Sequence, residues 1–465
     1  MLAIVFAACS SSAARRALPP PTTSTSVPVP TPPTTAAPTT TTEPGPGQCP
    51  TVPPRAQPRA DRTIYHLTVN VDAAHNTVTG TVDAKFTPDL ATDRLVFRLW
   101  PNGPVLSGAG AHLQAGQVVV DGTPAASQLA NPTTLVVPHP VAAAQTVDVS
   151  LPWTLTLPGP IGDRISRTGD SVRLGSFFPI LSWEPGVGWA TEPPTVVHAE
   201  TATTPAADFT AIITVPAGFQ VLATGAPDGT GTWSAPGVGD FAMTVGHFTE
   251  ISGTVDVPNR VVVTVGMQQG IKEDPKPYFD KILKVLQQYS QRFGPYPWPA
   301  YTMAVSPELS GGIEYPMHVM QGPNTLGRST AHELGHQWFY GLVENNQARD
   351  PWLDEGLASW AEGGFEQTLP AMVADDIPPE AVGQAGQPMT FWDKRLGAYF
   401  TGVYHAVPHA LSELGPPALV DCALAAYVAM YAYRVARPAN LIGVLTKVFP
   451  SAPASLAKYG LRADR

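Results

Sequence analysis

Clustered positive charge is scarce in this sequence, and that scarcity excludes one class of partner. The 465 residues include 27 lysines and arginines against 37 aspartates and glutamates, which gives a net charge of −10. Basic residues occur in runs no longer than two, as at Arg15-Arg16. Nucleic-acid binding requires clustered lysine and arginine, so no nucleic-acid partner is expected. The hydrophobic fraction of 43% also excludes a wholly disordered chain.

Long hydrophobic runs are also missing, since none reaches the roughly 20 residues that span a bilayer. The apolar residues 1–9 instead end in Phe6-Ala7-Ala8-Cys9 and precede three serines, a pattern that resembles the lipobox of bacterial lipoproteins. The resemblance implies a signal segment over residues 1–9, a lipid on Cys9 and an extracytoplasmic protein anchored to the membrane. An upstream start codon would supply the basic region that such signals carry before their apolar part. The alternative is a plain signal peptide and a secreted protein.

Cysteine is rare, with only Cys9, Cys49 and Cys422 in the chain. Once Cys9 carries a lipid, the other two form an even pair in an oxidising compartment, which predicts a Cys49–Cys422 disulfide. The alternative is that Cys422 packs as a small apolar side chain. So few cysteines also exclude a cysteine-rich structural zinc site.

Proline is abundant but unevenly placed, and it helps to divide the chain into regions. Between Pro19 and Pro54 there are 13 prolines and 11 threonines in 36 residues, so residues 10–58 are predicted to form a disordered tether. In residues 59–257, apolar and polar residues alternate in many short runs separated by turn-forming residues, which predicts an antiparallel β-sandwich or saddle domain. Residues 258–465 show mostly helical periodicity with a short strand, so the predicted fold class is α+β.

Residues 332–336 read His-Glu-Leu-Gly-His and carry the clearest chemical signal. On a helix, His332 and His336 lie one turn apart on the same face, where two imidazoles can bind one Zn²⁺. Glu333 points to the neighbouring face, from which it can reach metal-bound water as a general base without being a ligand. Eighteen residues separate His336 from Glu355, a spacing that allows a second helix to return a carboxylate to the same metal. Two histidines and one glutamate with an open fourth position predict a catalytic site with one zinc ion per chain.

The residues around these ligands resemble one enzyme family. Segments 332–339 and 352–358 match the core blocks of the aminopeptidase-N-like gluzincins, the zinc aminopeptidase family that includes membrane alanyl aminopeptidase. Residues 311–316, Gly-Gly-Ile-Glu-Tyr-Pro, stand where that family carries a G-x-M-E-N element, and the family normally has asparagine at the position of Asp354. The resemblance extends over about residues 296–402 and implies a thermolysin-like build for the helical catalytic domain.

The same resemblance assigns roles to further residues. Glu314 is implied to bind the free α-ammonium of a peptide, with Gly311 and Gly312 letting the substrate backbone approach an edge strand. The stretch that begins at Tyr399 is similar to the family's Y-x-K-G segment, which implies that the Tyr399 hydroxyl stabilises the oxyanion.

Several nearby residues are open to more than one interpretation. Tyr404 and Tyr315 are rivals for the oxyanion contact. Glu362 is either a partner of a ligand imidazole or a solvated charge. His318 is isolated in the sequence and is interpreted as structural.

Together these features predict a zinc aminopeptidase that releases amino-terminal residues from peptides with a free amino terminus. Two alternatives share the same residues. A thermolysin-like zinc endopeptidase would have the same ligands, and an anchored binding protein would keep the metal site without activity. Retention of all four residues of the site, two histidines and two glutamates, argues against the inactive form.

Overall fold

The computed structural model describes residues 45–196 and 203–464. The predicted signal segment, Cys9 and residues 10–44 of the predicted tether therefore lie outside the described residues. The strands, in chain order, are β1 (Ile64–Asp72), β2 (Thr77–Phe86), β3 (Thr92–Arg98), β4 (His112–Ala115), β5 (Val119–Val120), β6 (Thr123–Pro124), β7 (Gln128–Asn131), β8 (Thr134–Val141), β9 (Val147–Thr156), β10 (Ile165–Thr168), β11 (Ser171–Leu174), β12 (Ile180–Leu181), β13 (Trp183–Glu184), β14 (Gly188–Trp189), β15 (Ala207–Thr214), β16 (Gln220–Ala223), β17 (Ala226–Pro227), β18 (Thr232–Val238), β19 (Met243–Gly246), β20 (Phe248–Asp256), β21 (Arg260–Gln268), β22 (Ala300–Val305), β23 (Gly312–Tyr315), β24 (His318–Gln321), β25 (Val343–Asn345) and β26 (Arg434–Ala436).

Helices are concentrated in the second half of the described chain. They are α1 (Pro104–Gly108), α2 (Pro275–Phe293), α3 (Arg328–Gly335), α4 (Glu355–Glu366), α5 (Leu369–Ala374), α6 (Met389–Trp392), α7 (Leu396–Tyr399), α8 (Ala406–Ser412), α9 (Pro417–Tyr431), α10 (Pro438–Val448) and α11 (Ala452–Ala457). Residues Phe400–His405 form a π-helical segment that joins α7 to α8.

The amino-terminal half is built on a large sheet with the order β17-β18-β15-β1-β2-β9-β5-β6, in which β4 also pairs with β9. Its strands alternate buried and exposed residues; in β1, for example, Tyr65, Leu67, Val69 and Val71 are buried. β1 pairs with β15 in parallel, and the other neighbours are antiparallel. Two four-stranded sheets, β10-β11-β19-β16 and β12-β3-β8-β7, contribute to the same apolar core. This confirms the predicted fold class for the β domain.

A five-stranded sheet with the order β20-β21-β22-β24-β23 begins the second half. β21, β22 and β24 run parallel to one another, and β23 forms an antiparallel edge. The predicted division between residues 257 and 258 falls in the turn between β20 and β21. Alternating valines in β21 resemble those of the preceding strands, and only the pairing of β21 with β22 assigns the hairpin to the second sheet.

The helices of the second half present an apolar face to that sheet and to one another. Asp274 caps α2 by accepting a hydrogen bond from the Lys276 amide at 2.9 Å, and the apolar face of the helix is buried. Gly335 lets α3 and α4 pack closely. A Cβ at this position would lie only 3.0 Å from Ala358 Cα. This close approach brings the two predicted ligand segments together, and it confirms a mainly helical domain with a small sheet.

The predicted Cys49–Cys422 disulfide is present, with a Cα–Cα distance of 5.3 Å. It joins the described end of the predicted tether to α9. The backbone continues this contact, since the Gly47 amide donates to the Val448 carbonyl at 2.9 Å and the Ala56 amide to the Ala429 carbonyl at 2.8 Å. Residues 45–58 therefore lie against the helical half of the protein.

The described residues include no single helix with both the length and the apolar composition of a membrane span. The segments Leu396–Ser412 and Pro417–Tyr431 meet both criteria only as a pair, and they are bent by 110° relative to each other.

Candidate metal centre

Helices α3 and α4 bring the predicted zinc ligands together. His332 Nε2 lies 3.1 Å from His336 Nε2 and 3.1 Å from Glu355 Oε2. The remaining pair, His336 Nε2 and Glu355 Oε2, is separated by 3.5 Å. Three atoms that each lie about 2.0–2.2 Å from a tetrahedral zinc ion are separated from one another by roughly these distances. The donor set therefore fits one zinc ion, and His332, His336 and Glu355 are the residues that would hold it.

Each ligand imidazole has a buried carboxylate behind it. His336 Nδ1 lies 2.5 Å from Asp354 Oδ1, and Asp354 also accepts a hydrogen bond from Gln347. His332 Nδ1 lies 3.3 Å from Glu362 Oε2. A carboxylate that accepts the Nδ1 proton orients the ring and leaves the Nε2 lone pair for a metal. Of the two interpretations of Glu362, the structure therefore favours the imidazole partner.

Burial and neighbouring charges set the ionisation of the two glutamates at the site. Burial opposes ionisation of Glu355, but its hydrogen bonds with the two imidazoles hold the pKa of that carboxyl well below its ordinary value. Burial raises the pKa of Glu333 to about 7. A carboxylate that titrates near neutral pH is suited to take up and release a proton during a reaction.

The edge strand β23 leaves room for Glu333. A Cβ at Gly312 would lie 2.3 Å from the Glu333 carboxyl carbon, so a larger residue there would displace the Glu333 side chain. Gly311 lines the same cavity, and nothing lies within 4 Å of an added Cβ there. At the end of the strand, Glu314 is buried and lies with Glu333 and His336 in a second cluster whose ligand atoms are all within 4.8 Å of one another.

Two of the three candidate tyrosines line the cavity. Tyr399 is buried, and its hydroxyl has no hydrogen-bond partner among the described residues. The Tyr404 ring stacks on His332 with 5.3 Å between ring centroids, and the Tyr404 hydroxyl contacts Glu355. Burial raises the pKa of both tyrosines, so each keeps its O–H as a donor. Tyr315 does not line the cavity and instead contacts the Ser176 hydroxyl at 3.2 Å.

The cavity over the metal centre has a volume of about 490 Å³. Loop and helix-end residues that the sequence analysis did not identify complete its wall; among them are Gly162, Leu309, Arg328, Leu396 and Phe400. They come from separate parts of the chain and form no local motif. The role of Asp354 as an imidazole partner was also not predicted. The available signal was that Asp354 replaces the asparagine that the family carries next to the ligand glutamate.

No family model matches the chain. Similar proteins include aminopeptidase B from Homo sapiens, 28% identical over 175 residues that cover 33% of this chain and 25% of the relative. Aminopeptidase M1-D from Oryza sativa subsp. japonica is 32% identical over 136 residues, or 26% of this chain and 15% of the relative. Leukotriene A-4 hydrolase from Xenopus laevis is 30% identical over 105 residues, or 21% of this chain and 17% of the relative. The chain thus matches a quarter or less of the length of these relatives.

Among solved structures, an M1 zinc metallopeptidase from Deinococcus radiodurans aligns with a TM-score of 0.62 at 19% identity, covering 87% of this chain and 94% of that one. A mutant of that enzyme bound to a Tyr-Ser-Ala substrate aligns with the same TM-score at 18% identity, again covering 87% and 94%. Related structures are described as two-domain M1 enzymes. The chain therefore has the fold of a two-domain M1 zinc metallopeptidase, and the predicted similarity to zinc aminopeptidases is confirmed.

Proposed function

We propose that the protein is a zinc-dependent aminopeptidase that removes amino-terminal residues from peptides. The observation that carries this proposal is the position of Glu314, whose carboxylate lies with Glu333 and His336 in one buried cluster. A fixed carboxylate next to a metal centre can bind a free α-ammonium by a charge-assisted hydrogen bond. That contact places the first peptide bond, rather than an internal one, over the metal ligands.

The chemistry divides among the residues of the cavity. Zinc, when bound by the two histidines and Glu355, would supply Lewis acidity to the scissile carbonyl and to a water molecule. Glu333 takes the proton from the water that attacks the carbonyl and returns it to the departing amine. The Tyr399 hydroxyl, which is buried without a partner among the described residues, donates a hydrogen bond to the developing oxyanion. The similar Deinococcus radiodurans mutant with a bound Tyr-Ser-Ala substrate supports a peptide substrate here.

One assay with matched substrates tests this proposal. The substrates are a free aminoacyl reporter, its acetylated form and an internally quenched peptide blocked at both ends, each with and without a chelator. We expect the enzyme to cleave only the free aminoacyl reporter, and only without chelator. A Glu333→Gln variant should lose about 10²–10⁴-fold in turnover while binding one equivalent of zinc. The exposed Glu413→Gln should keep wild-type turnover as its matched control.

Two results would overturn the proposal. Cleavage of the doubly blocked peptide would identify an endopeptidase of thermolysin-like type. Zinc bound at one equivalent, with no cleavage of any substrate, would identify a binding protein with an inactive metal site.

We also propose that the protein is extracytoplasmic and is anchored to the membrane by a lipid on Cys9. The Cys49–Cys422 disulfide supports an oxidising compartment. The test is metabolic labelling with palmitate in a bacterial host, comparing the full chain with its Cys9→Ser variant. We expect label and membrane association for the wild type only. An unlabelled wild-type protein in the medium would indicate a plain secretory signal instead.

A further inference from the structure

Arg328 is the one lysine or arginine among the described residues that line the cavity, and the proposed chemistry does not use it. The other charged groups on the wall are carboxylates: Glu314, Glu333, Glu355 and Glu362. A cation on a wall that is otherwise acidic is placed to contact a negatively charged part of a substrate.

The geometry of α3 and β23 shows which part of a peptide would reach this arginine. Glu314 lies beside His336 and Glu333, and Gly312, two residues earlier on the strand, lies against Glu333. The strand therefore runs in the same direction as the helix along the cavity, and a peptide that pairs antiparallel with the strand runs opposite to the helix. A peptide held by its amino terminus at Glu314 extends from the His336 end of the helix towards the other end, where Arg328 lies.

The distance along the helix fits a short peptide. Arg328 precedes the midpoint between the two ligand histidines by six residues, or about 9 Å along the axis. An extended chain advances about 3.3–3.6 Å per residue, so the carboxylate of a tripeptide lies about 7 Å beyond the cleaved bond. The arginine side chain and one hydrogen bond span the remaining distance between the helix at Arg328 and the peptide carboxylate.

The guanidinium is held in place yet accessible. Arg328 Nε donates to Glu362 Oε1, and the other oxygen of that carboxylate contacts His332 Nδ1. The Arg328 side chain is nevertheless 53% exposed. A guanidinium carries five N–H donors in a planar fork that matches a carboxylate, so the contact with Glu362 leaves donors for a second carboxylate.

We propose that Arg328 binds the carboxy-terminal carboxylate of short peptides and makes the enzyme selective for tripeptides with a free carboxyl group. The inference rests on the proposed aminopeptidase function. It adds a substrate class, peptides with both termini free and close together, and it assigns the specificity to one side chain.

The test compares kcat/KM for Leu-Gly-Gly, for its carboxy-terminal amide and for Leu-Glu-amide, in the wild type and two variants. The wild type should prefer the free acid over the amide by about tenfold or more, because the guanidinium forms a stronger hydrogen bond with a charged carboxylate than with a neutral amide. In Arg328→Gln that preference should fall to about onefold. Lys394→Gln removes an exposed positive charge that does not line the cavity, and it should keep the wild-type preference.

A further variant and a length series make the result decisive. Arg328→Lys should keep part of the preference, since lysine retains the charge but not the planar fork. The preference should be largest for the tripeptide and should weaken as glycine residues are added. If Arg328→Gln lowers the acid and the amide equally, the arginine only supports Glu362 and the proposal is wrong. The proposal is also wrong if Leu-Glu-amide is cleaved as well as the free acid, because a side-chain carboxylate then suffices.

Failure of this inference can be told apart from failure of the proposed function. Suppose the wild type cleaves the aminoacyl reporter, and cleaves the tripeptide amide as efficiently as the free tripeptide acid. The aminopeptidase proposal then stands, and only the role of Arg328 is refuted. If no substrate with a free amino terminus is cleaved, the aminopeptidase proposal itself fails.

Discussion

His318 and the pair His332 and His336 are all buried, but their ring nitrogens contact different kinds of group. His318 Nδ1 lies 2.8 Å from the Thr302 hydroxyl and its Nε2 lies 3.1 Å from the Thr244 hydroxyl. Burial lowers the pKa of His318 to about 3, so this imidazole is neutral. It links the five-stranded sheet to β19 of the amino-terminal half.

The imidazoles of the metal centre face carboxylates instead of hydroxyls. Burial opposes protonation of His336, yet the Asp354 carboxylate outweighs it and raises the pKa of that imidazole. An imidazole made more basic in this way is also a stronger ligand for a metal ion through Nε2. The comparison shows that burial alone does not decide what a histidine does. The charge of the group at the opposite ring nitrogen distinguishes a structural imidazole from a metal ligand.

The largest effect is expected on kcat when the Tyr399 hydroxyl is removed. Hydroxyl groups have different surroundings at the metal centre and around His318. Around His318 both threonine hydroxyls contact the ring, whereas the Tyr399 hydroxyl has no partner among the described residues. Tyr399→Phe should therefore reduce kcat by about 10²–10³-fold with zinc content unchanged. The matched variant Tyr404→Phe removes a contact with Glu355 and should reduce kcat less. The reverse order in steady-state kinetics would assign the oxyanion contact to Tyr404.

The carboxylates behind the ligand imidazoles should produce the next largest effect. Asp354→Ala and Glu362→Ala should each weaken zinc binding by about 10–100-fold, because each removes the carboxylate that orients an imidazole. The loss should be greater for Asp354, whose contact is 2.5 Å against 3.3 Å and whose charge no arginine offsets among the described residues. Competition with a chromogenic chelator measures both affinities.

The threonines beside His318 provide the matched control for this experiment. Thr244→Val removes a neutral partner of a buried imidazole and should leave zinc affinity at the wild-type value. An equal loss of affinity in Thr244→Val would show that general destabilisation, rather than the missing charge, is responsible.

The smallest effect, counted per pH unit, is expected in the pH dependence of stability in the His318 region. The folded-state pKa, about 3, lies below the value of about 6.5 expected in the unfolded chain. The unfolded chain therefore binds a proton first, and the free energy of unfolding falls as the pH decreases from 6.5 towards 3. The expected slope is about 1.4 kcal/mol per pH unit. In His318→Gln, chemical denaturation over this range should show a shallower dependence, and parallel curves for the two proteins would contradict the neutral state of His318.

Particular residues show how far sequence reasoning extended. The spacing of His332, His336 and Glu355 predicted the ligand set, because helical geometry places residues four apart on one face. The alternation in β1 predicted a half-buried strand for the same kind of reason. In contrast, the β20–β21 hairpin was divided between domains, since its alternating residues fit either sheet and its partner β22 follows about thirty residues later.

Local periodicity and motif spacing were sufficient for the fold class and for the three residues that could hold a metal ion, since helices and strands present side chains at fixed intervals. Tertiary structure alone decided that Asp354 and Glu362 hold the imidazoles, that Tyr315 lies away from the cavity and that Arg328 lies in its wall. These positions depend on how α3, α4, β23 and the π-helical segment pack together. Contacts between elements distant in sequence leave no period in the chain that codes for them.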